Sequence, residues 1–250
     1  MNLDDKIKRA LLILRKCSQD KECHLAYSGG KDSDTILALA QMSGIKFTPY
    51  YYNVTIDPPE LVRYIREQHA DIQWLKIKPR FGNMLTRLAN RKSLPPTRGM
   101  RWCCYEYKGH GIRWDKPVIV GVRKEESTKR AKYVEYSRSN SGDMAIRPIV
   151  DWTMEDVWEF LHRYNLPYCE LYDEGWDRLG CVGCPLPGPR QQDIEFARWP
   201  KYEENWKRAI IRNWENFHSK LKRNGKPYKH ATFASGESLW RWWRSGGRER

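Results

Sequence analysis

The stretch His24–Ala40, HLAYSGGKDSDTILALA, limits what this chain can fold into more than any other. A short apolar run of strand character enters Ser28-Gly29-Gly30-Lys31-Asp32-Ser33, and a helical pattern follows at once. Two glycines in such a loop let backbone approach a ligand closely, since neither has a side chain to hold it off. The helix behind them presents unpaired N–H groups at the positive end of its dipole. Lys31 adds a point charge, and Ser28 and Ser33 add hydroxyl donors. Together these features make an anion cradle suited to phosphate or pyrophosphate. Asp32 and Asp34 stand where they can cap the helix or hold a magnesium ion. A Walker loop is excluded. It needs a glycine five residues before the Gly-Lys pair and Ser or Thr after the lysine, and here those positions hold Leu25 and Asp32.

The surrounding pattern supplies the fold class. Residues 3–16 have a helical spacing of apolar positions. After the glycine loop, strand candidates KFTPYYYNV, IQWLKI and PVIVGV alternate with helix candidates PPELVRYIREQHA and FGNMLTRLANRK. Strands alternating with helices predict an α/β protein with a parallel sheet and helices on both faces. Ligands in such folds sit beyond the carboxyl ends of the strands, where Ser28–Ser33 and the Gly121–Arg123 stretch both fall. From about residue 151 the style changes. DWTMEDVWEFLHRYNLP reads as a capped amphipathic helix, LYDEGWDRLGCVGCPLPGPR as loop, and residues 199–223 as a long helix. This divides the chain into a nucleotide-binding domain over 1–150 and a mainly helical region over 151–250 with a basic, Trp-rich tail.

No apolar run approaches the roughly 18 residues of a membrane span. The charged opening MNLDDKIKRA has no leader character, so a soluble cytoplasmic protein without a membrane partner is expected. The net charge of +14 favours polyanionic partners. Of that excess, +8 lies in residues 201–250, with 13 Lys and Arg against 5 Asp and Glu. Trp240, Trp242 and Trp243 are interleaved with these charges, so nucleic-acid binding through the tail, with bases stacked on the tryptophans, is one expectation. The other is that the tryptophans pack on the core and the charges are solvated.

Seven cysteines without a leader point to metal binding or chemistry rather than a disulfide frame. Cys103 and Cys104 are adjacent, Cys181 and Cys184 form a CxxC, and Cys17, Cys23 and Cys169 are scattered. Two close pairs make a soft, four-thiolate ligand set. An iron–sulfur cluster of [4Fe–4S] type suits it better than zinc, because adjacent side chains diverge and a cubane can take them on different irons.

Several stretches together resemble the phosphoadenylyl-sulfate (PAPS/APS) reductase family of the PP-loop ATP pyrophosphatases. They are SGGKDS, the Cys-Cys pair, GVRKEESTKRA, RPIVDWTMEDVWEFLHRYNLPY and LYDEGWDRLGCVGCP, spanning residues 24 to 190. The resemblance implies an adenine nucleotide alpha hydrolase-like fold. It makes Ser28, Gly29, Gly30, Lys31, Asp32 and Ser33 the phosphate loop, with Gly121, Arg123, Glu126, Ser127 and Arg130 lining the nucleotide pocket. Lys31, Asp32 and Arg123 become the catalytic candidates. Arg123 and Arg130 would clamp phosphate or sulfate through paired guanidinium bonds. Cys103, Cys104, Cys181 and Cys184 match the cluster ligands. The family's reductases also use a cysteine near the C-terminus as nucleophile, and no cysteine follows Cys184 in this sequence. Cys17, Cys23 or Cys169 could substitute only if the fold brings one into the crevice.

Two activities are therefore expected. One is ATP·Mg²⁺ cleavage with adenylylation of an acceptor and sulfur transfer, served by a sulfur donor such as a cysteine desulfurase. The alternative is thiol-dependent reduction of APS or PAPS. A non-catalytic nucleotide or nucleic-acid binding module is the third reading. A homodimer is compatible with each.

Overall fold

The computed structural model describes residues 1–18, 21–75, 82–108, 116–138 and 144–248. The end of the IQWLKI segment and Phe81 lie outside them. The chain divides into two compact units, Met1–Tyr52, Pro58–Leu75 and Gly111–Leu179 in one, and Asn53–Asp57, Lys76–His110 and Gly180–Arg250 in the other. The division crosses the sequence several times, whereas the sequence alone suggests one boundary near residue 150.

The first unit holds a six-stranded sheet built from β1 (Cys23–Tyr27), β2 (Phe47–Tyr52), β3 (Gln73–Leu75), β4 (Val118–Val120), β5 (Tyr136–Arg138) and β6 (Met144–Ile146). Their order is β3-β2-β1-β4-β6-β5, parallel except for β5 against β6. β1 pairs with β2 from Cys23–Phe47 to Tyr27–Tyr51 and with β4 from His24–Val118 to Ala26–Val120. That central position explains why both β1 and β4 read as near-continuous apolar runs. Helices α1 (Leu3–Ser18), α2 (Lys31–Ser43), α3 (Pro59–Gln68) and α6 (Met154–Arg163) flank the strands, and α1, α2 and α6 pack together. α2 stops at Gly44, which takes a left-handed φ of 72°. α6 opens with a reciprocal cap: the Asp156 N–H donates to Thr153 Oγ1 (3.2 Å) and the Thr153 N–H to Asp156 Oδ2 (2.6 Å).

The second unit is helical, with α4 (Met84–Ala89), α5 (Trp102–Tyr107), α7 (Pro189–Arg198), α8 (Pro200–Phe217) and α9 (Gly236–Arg244). α8 packs on α4, α7 and α9. Two findings differ from the sequence reading. α7 begins in the last two residues of the segment read as loop and runs through 191–198, which the sequence reading leaves unassigned; Pro189 and Pro200 sit in the first turns of α7 and α8, where a missing N–H costs nothing. And α8 ends at Phe217 rather than near residue 223, since Gly225 (φ 76°) closes a turn in which the Lys222 N–H bonds the Lys226 carbonyl (2.8 Å). Trp243 is buried, its ring centroid 4.6 Å from that of Trp206 and its Nε1–H on the Pro96 carbonyl (2.7 Å). Trp240 is buried beside it, and Trp242 packs on Phe233. These tryptophans serve the core, so Trp240 and Trp243 offer no faces for stacking bases. Among the described residues no helix is long and apolar enough to cross a membrane.

Candidate functional site

Strand order reverses between β1 and β4, one leading outward to β2 and β3, the other to β6 and β5. A crevice opens at such a point beyond the strand ends. Ser28–Ser33 leaves β1 there, and Gly121–Arg123 leaves β4.

The loop is built without slack. Gly29 has φ +74°, and a Cβ there would lie 2.7 Å from Leu61 Cδ1 and 2.8 Å from Ile65. Gly30 caps α2 in extended conformation with no side-chain cap. A Cβ on Gly121 would lie 2.8 Å from the Asp32 carbonyl oxygen, so β4 meets the first turn of α2 backbone to backbone. Ser33 Oγ donates to the Gly30 carbonyl (2.7 Å), and Ser28 Oγ to Ser33 Oγ (3.3 Å).

Two cations converge on this helix start. Lys31 is 3% exposed at the first position of α2, and burial pushes its ammonium pKa down. A buried cation at the positive end of a helix opposes the dipole, which is a cost to folding. Its Nζ donates to the Asp177 carbonyl (2.7 Å), stands 4.9 Å from the Tyr172 ring centroid and 3.9 Å from Asp32 Oδ2. Arg123 is 2% exposed; its Nε donates to Asp32 Oδ1 (2.5 Å) and one terminal nitrogen to Glu125 (3.2 Å). The Arg123 N–H bonds Glu126 Oε2 (2.8 Å), and Glu126 pairs with Arg130. The Arg130 N–H bonds Ser127 Oγ (3.3 Å). The structure thus brings Ser28, Gly29, Gly30, Lys31, Asp32, Ser33, Gly121 and Arg123 together, with Glu126 one bond away. The recorded contacts of Ser127 and Arg130 are with their own turn, and Arg130 is paired to Glu126 rather than held toward the loop.

Two participants have no role in the sequence reading. The Lys31 N–H donates to the Tyr172 hydroxyl (3.0 Å), and the Asp177 carbonyl receives the lysine. Both belong to LYDEGWD, a stretch that stands out in the sequence but gives no hint of the 141 residues it bridges.

Behind the loop, Asp34 is buried in α2. The Tyr27 hydroxyl donates to its Oδ1 (2.5 Å), His69 Nε2 lies 3.5 Å away, and its Oδ2 has no partner. Desolvation pushes this carboxyl up to about 7, against hydrogen bonds from Tyr27 and Tyr64 that favour the anion; Asp32 adds repulsion. A folded pKa raised above the unfolded 3.8 gives stability that is complete at low pH and is lost as pH rises toward 7. Asp34→Asn keeps the acceptor for Tyr27 and removes the charge. Its unfolding free energy should gain on wild type more at pH 8 than at pH 5, by an amount on the order of 3 kcal/mol, read from denaturant melts at the two pH values. Equal gains at both pH values count against the assignment. This burial also removes Asp34 from magnesium binding and leaves Asp32, which is partly exposed.

In the second unit α5 carries Cys103 and Cys104, and a tight turn carries Cys181 and Cys184, whose N–H bonds the Cys181 carbonyl (3.2 Å). Gly183 (φ +76°) makes that turn; a Cβ there would lie 2.6 Å from Phe196 and 2.7 Å from Trp206. All four thiols are free and half-exposed. They act on one another electrostatically, and Cys104 is drawn toward thiolate by a hydrogen bond from Cys103, against burial and with help from Arg101. Proximity to Cys181 pushes the Lys108 ammonium up, while burial pushes the Cys181 thiol up. Among the described residues no three Cys, His, Asp or Glu meet the spacing of a single-ion site. The donor chemistry, four thiols beside two cations, fits an iron–sulfur cluster. Cys23 and Cys169 are fully buried, and burial pushes each up to about 11.

A family model for the phosphoadenosine phosphosulfate reductase domain matches residues 22–187. An adenosine 5'-phosphosulfate reductase of Anoxybacillus flavithermus is 36% identical over 86 residues, which is 34% of this chain and 36% of that protein. An uncharacterized protein of Methanocaldococcus jannaschii is 26% identical over 231 residues, 87% of this chain and 45% of that one. The chain thus spans less than half the length of these two curated relatives. A crystal structure of phosphoadenylyl-sulfate reductase from Candida auris, in a phosphate complex, superposes with a TM-score of 0.52 at 16% identity, covering 72% of this chain and 93% of the other. That likeness is one of fold.

Proposed function

The chain belongs to the phosphoadenosine phosphosulfate reductase domain family, and from that premise we propose that it is an adenine-nucleotide enzyme that adenylylates an acceptor with ATP and passes sulfur to it. The observation carrying this reading is the pair of buried cations, Lys31 and Arg123, held at the start of α2 at the strand-order reversal. Both cations lie at a helix start whose free N–H groups also attract an anion, and Asp32 and Glu125 hold Arg123 in place there, an arrangement suited to a phosphate group. In this reading pyrophosphate lies over Gly29 and Gly30. An acceptor oxygen attacks the α-phosphorus, the bond to the β-phosphate oxygen breaks, and the electron pair leaves on pyrophosphate. Lys31, Arg123 and the α2 N–H groups face the charge that grows there. The Tyr172 hydroxyl holds the Lys31 N–H until a phosphate oxygen replaces it. Asp32 orients Arg123 through one oxygen, and its other oxygen would hold a Mg²⁺ ion, which would supply charge neutralisation for the phosphates. A sulfide donor then attacks the acceptor atom that carries the adenylylated oxygen; a bond from that atom to sulfur forms, its bond to oxygen breaks, and AMP leaves with the oxygen and the electron pair. Cys103, Cys104, Cys181 and Cys184 would hold a [4Fe–4S] cluster, whose chemistry is to bind sulfur species or store an electron.

The relatives named as adenosine 5'-phosphosulfate reductases favour a second reading, reduction of APS or PAPS with release of sulfite. It needs a thiolate nucleophile, and the buried Cys23 and Cys169, both pushed up to about 11, suit that role poorly. The test is to purify the protein without oxygen and assay two reactions. ATP with labelled pyrophosphate should show exchange, and APS or PAPS with a thiol should yield no sulfite at enzymatic rates. Sulfite formation without exchange reverses the assignment.

A further inference from the structure

Within the second unit, a cavity of about 500 Å³ lies between the Thr97–Met100 turn, the start of α7 and the end of α9. Its floor is apolar, with Pro185, Pro189 and Trp243. Its rim carries three arginines, Arg98, Arg190 and Arg248, all exposed. None of the three has a carboxylate partner among the described residues. Neighbouring Arg244, by contrast, pairs with Asp193 and Glu203. The protein therefore neutralises one arginine here and leaves three like charges facing one hollow.

The walls are fixed. Thr97 and Met100 exchange both backbone hydrogen bonds (3.1 Å each), setting Arg98 at the tip of the turn. Trp243 is tied to the Pro96 carbonyl, and Gln192 Nε2 bonds the Gly183 carbonyl (3.0 Å). Gly246 (φ +72°) brings the end of α9 against Pro189, where a Cβ would lie 3.4 Å from its ring. Arg98 also lies five residues before Cys103 in the chain, and Pro185 directly follows Cys184. The cavity is thus bounded by segments that lead into both cysteine pairs.

We propose that this cavity is a binding site for the phosphodiester backbone of a nucleic-acid strand. Exposed guanidiniums around an open, apolar-floored hollow suit a chain of phosphates running past it. A small free phosphate needs buried donors that enclose it, and these three arginines are exposed, unlike the buried Lys31 and Arg123. The +8 charge of residues 201–250 supplies the long-range attraction. Coupled to the proposed function, on which this part rests, the strand is the acceptor that receives sulfur near the cysteines.

The test uses the full chain and fluorescein-labelled mixed-sequence 20-mers of single-stranded RNA and DNA, with anisotropy read across a salt series. Wild type should bind at least one of the two with a steep salt dependence. The triple variant R98Q/R190Q/R248Q should bind on the order of tenfold to a hundredfold more weakly, and its log–log salt slope should flatten by about 2, near 0.7 per phosphate lost. R98K/R190K/R248K should keep the slope, and R241Q, an exposed arginine of α9 outside the cavity, should bind within about twofold of wild type. Unchanged binding and slope in the triple glutamine variant overturns the proposal. So does binding of inorganic phosphate that the triple variant loses while neither oligomer binds, since that marks a small-anion site. ATP binding, and pyrophosphate exchange with the oligomer present, are measured on the same preparations. Lost oligomer binding with ATP binding kept in the triple variant supports the site, and absent exchange in wild type with oligomer binding intact fails only the proposed function.

Discussion

Replacing Lys31 with alanine should lower pyrophosphate exchange by about 10²–10³-fold, the effect of removing one preorganised charge from a developing anion. Stability should move little, or rise. Lys31 sits 3% exposed at the positive end of α2, with its pKa pushed down by burial, so the folded protein holds it there at a cost. What alanine gives up is the bond to the Asp177 carbonyl and the contact with the Tyr172 ring. Lys31→Arg should not restore activity, because a planar fork does not fit a slot shaped around a single ammonium. The measurement is exchange alongside thermal melts. Activity within about fivefold of wild type, or a loss that only tracks unfolding, would remove Lys31 from the mechanism.

The second large effect concerns Gly29. Alanine there must take φ +74°, which costs an L-residue about 1–2 kcal/mol. Its Cβ would also press on Leu61 and Ile65, which are 1% and 0% exposed and have nowhere to retreat. Overpacking of that kind adds about 1–3 kcal/mol. A loss of roughly 2–5 kcal/mol is expected, together with weakened nucleotide binding as the loop lifts from α3. Gly44→Ala is the matched control: φ is +72° and no atom lies within 4 Å of the added Cβ, so only the backbone penalty remains. Equal melting temperatures for the two variants would show that close packing under the loop is not what fixes Gly29.

The parallel sheet was legible because β1, β2 and β4 are apolar runs separated by helices of clear period. β5 and β6 were not, since each has three residues, with Arg138 and Ser137 in one, too few to show alternation. α5 escaped because six residues give less than two turns of pattern. The glycine loop was legible as an anion cradle because local spacing carries its chemistry, whereas Arg123 was singled out by its place after a strand and by the family resemblance. Tyr172 could not, since its bond to Lys31 is a matter of where the 170–177 segment lands after folding. The tail tryptophans illustrate the reverse. Their spacing with arginine suggested a surface for bases, yet the indoles of Trp240 and Trp243 are buried and only Trp242 of the three is partly exposed.

The Asp32–Arg123 pair joins residues 91 apart, and Gly121, two residues before Arg123, meets the Asp32 backbone. During synthesis, a chain that has emerged only through β3 owns a complete glycine loop but no arginine to face it. Such a chain can close β1, β2 and β3 locally and still lack half of its anion site, so under the proposed function tight nucleotide binding begins only when β4 slides in beside β1. Nucleotide at a hundred times its dissociation constant would then add about 2.7 kcal/mol to the sheet that includes β4 and nothing to the partial one. The ligand would thereby act as a fastener across the seam between β1 and β4, the strand on which β6 and then β5 are laid.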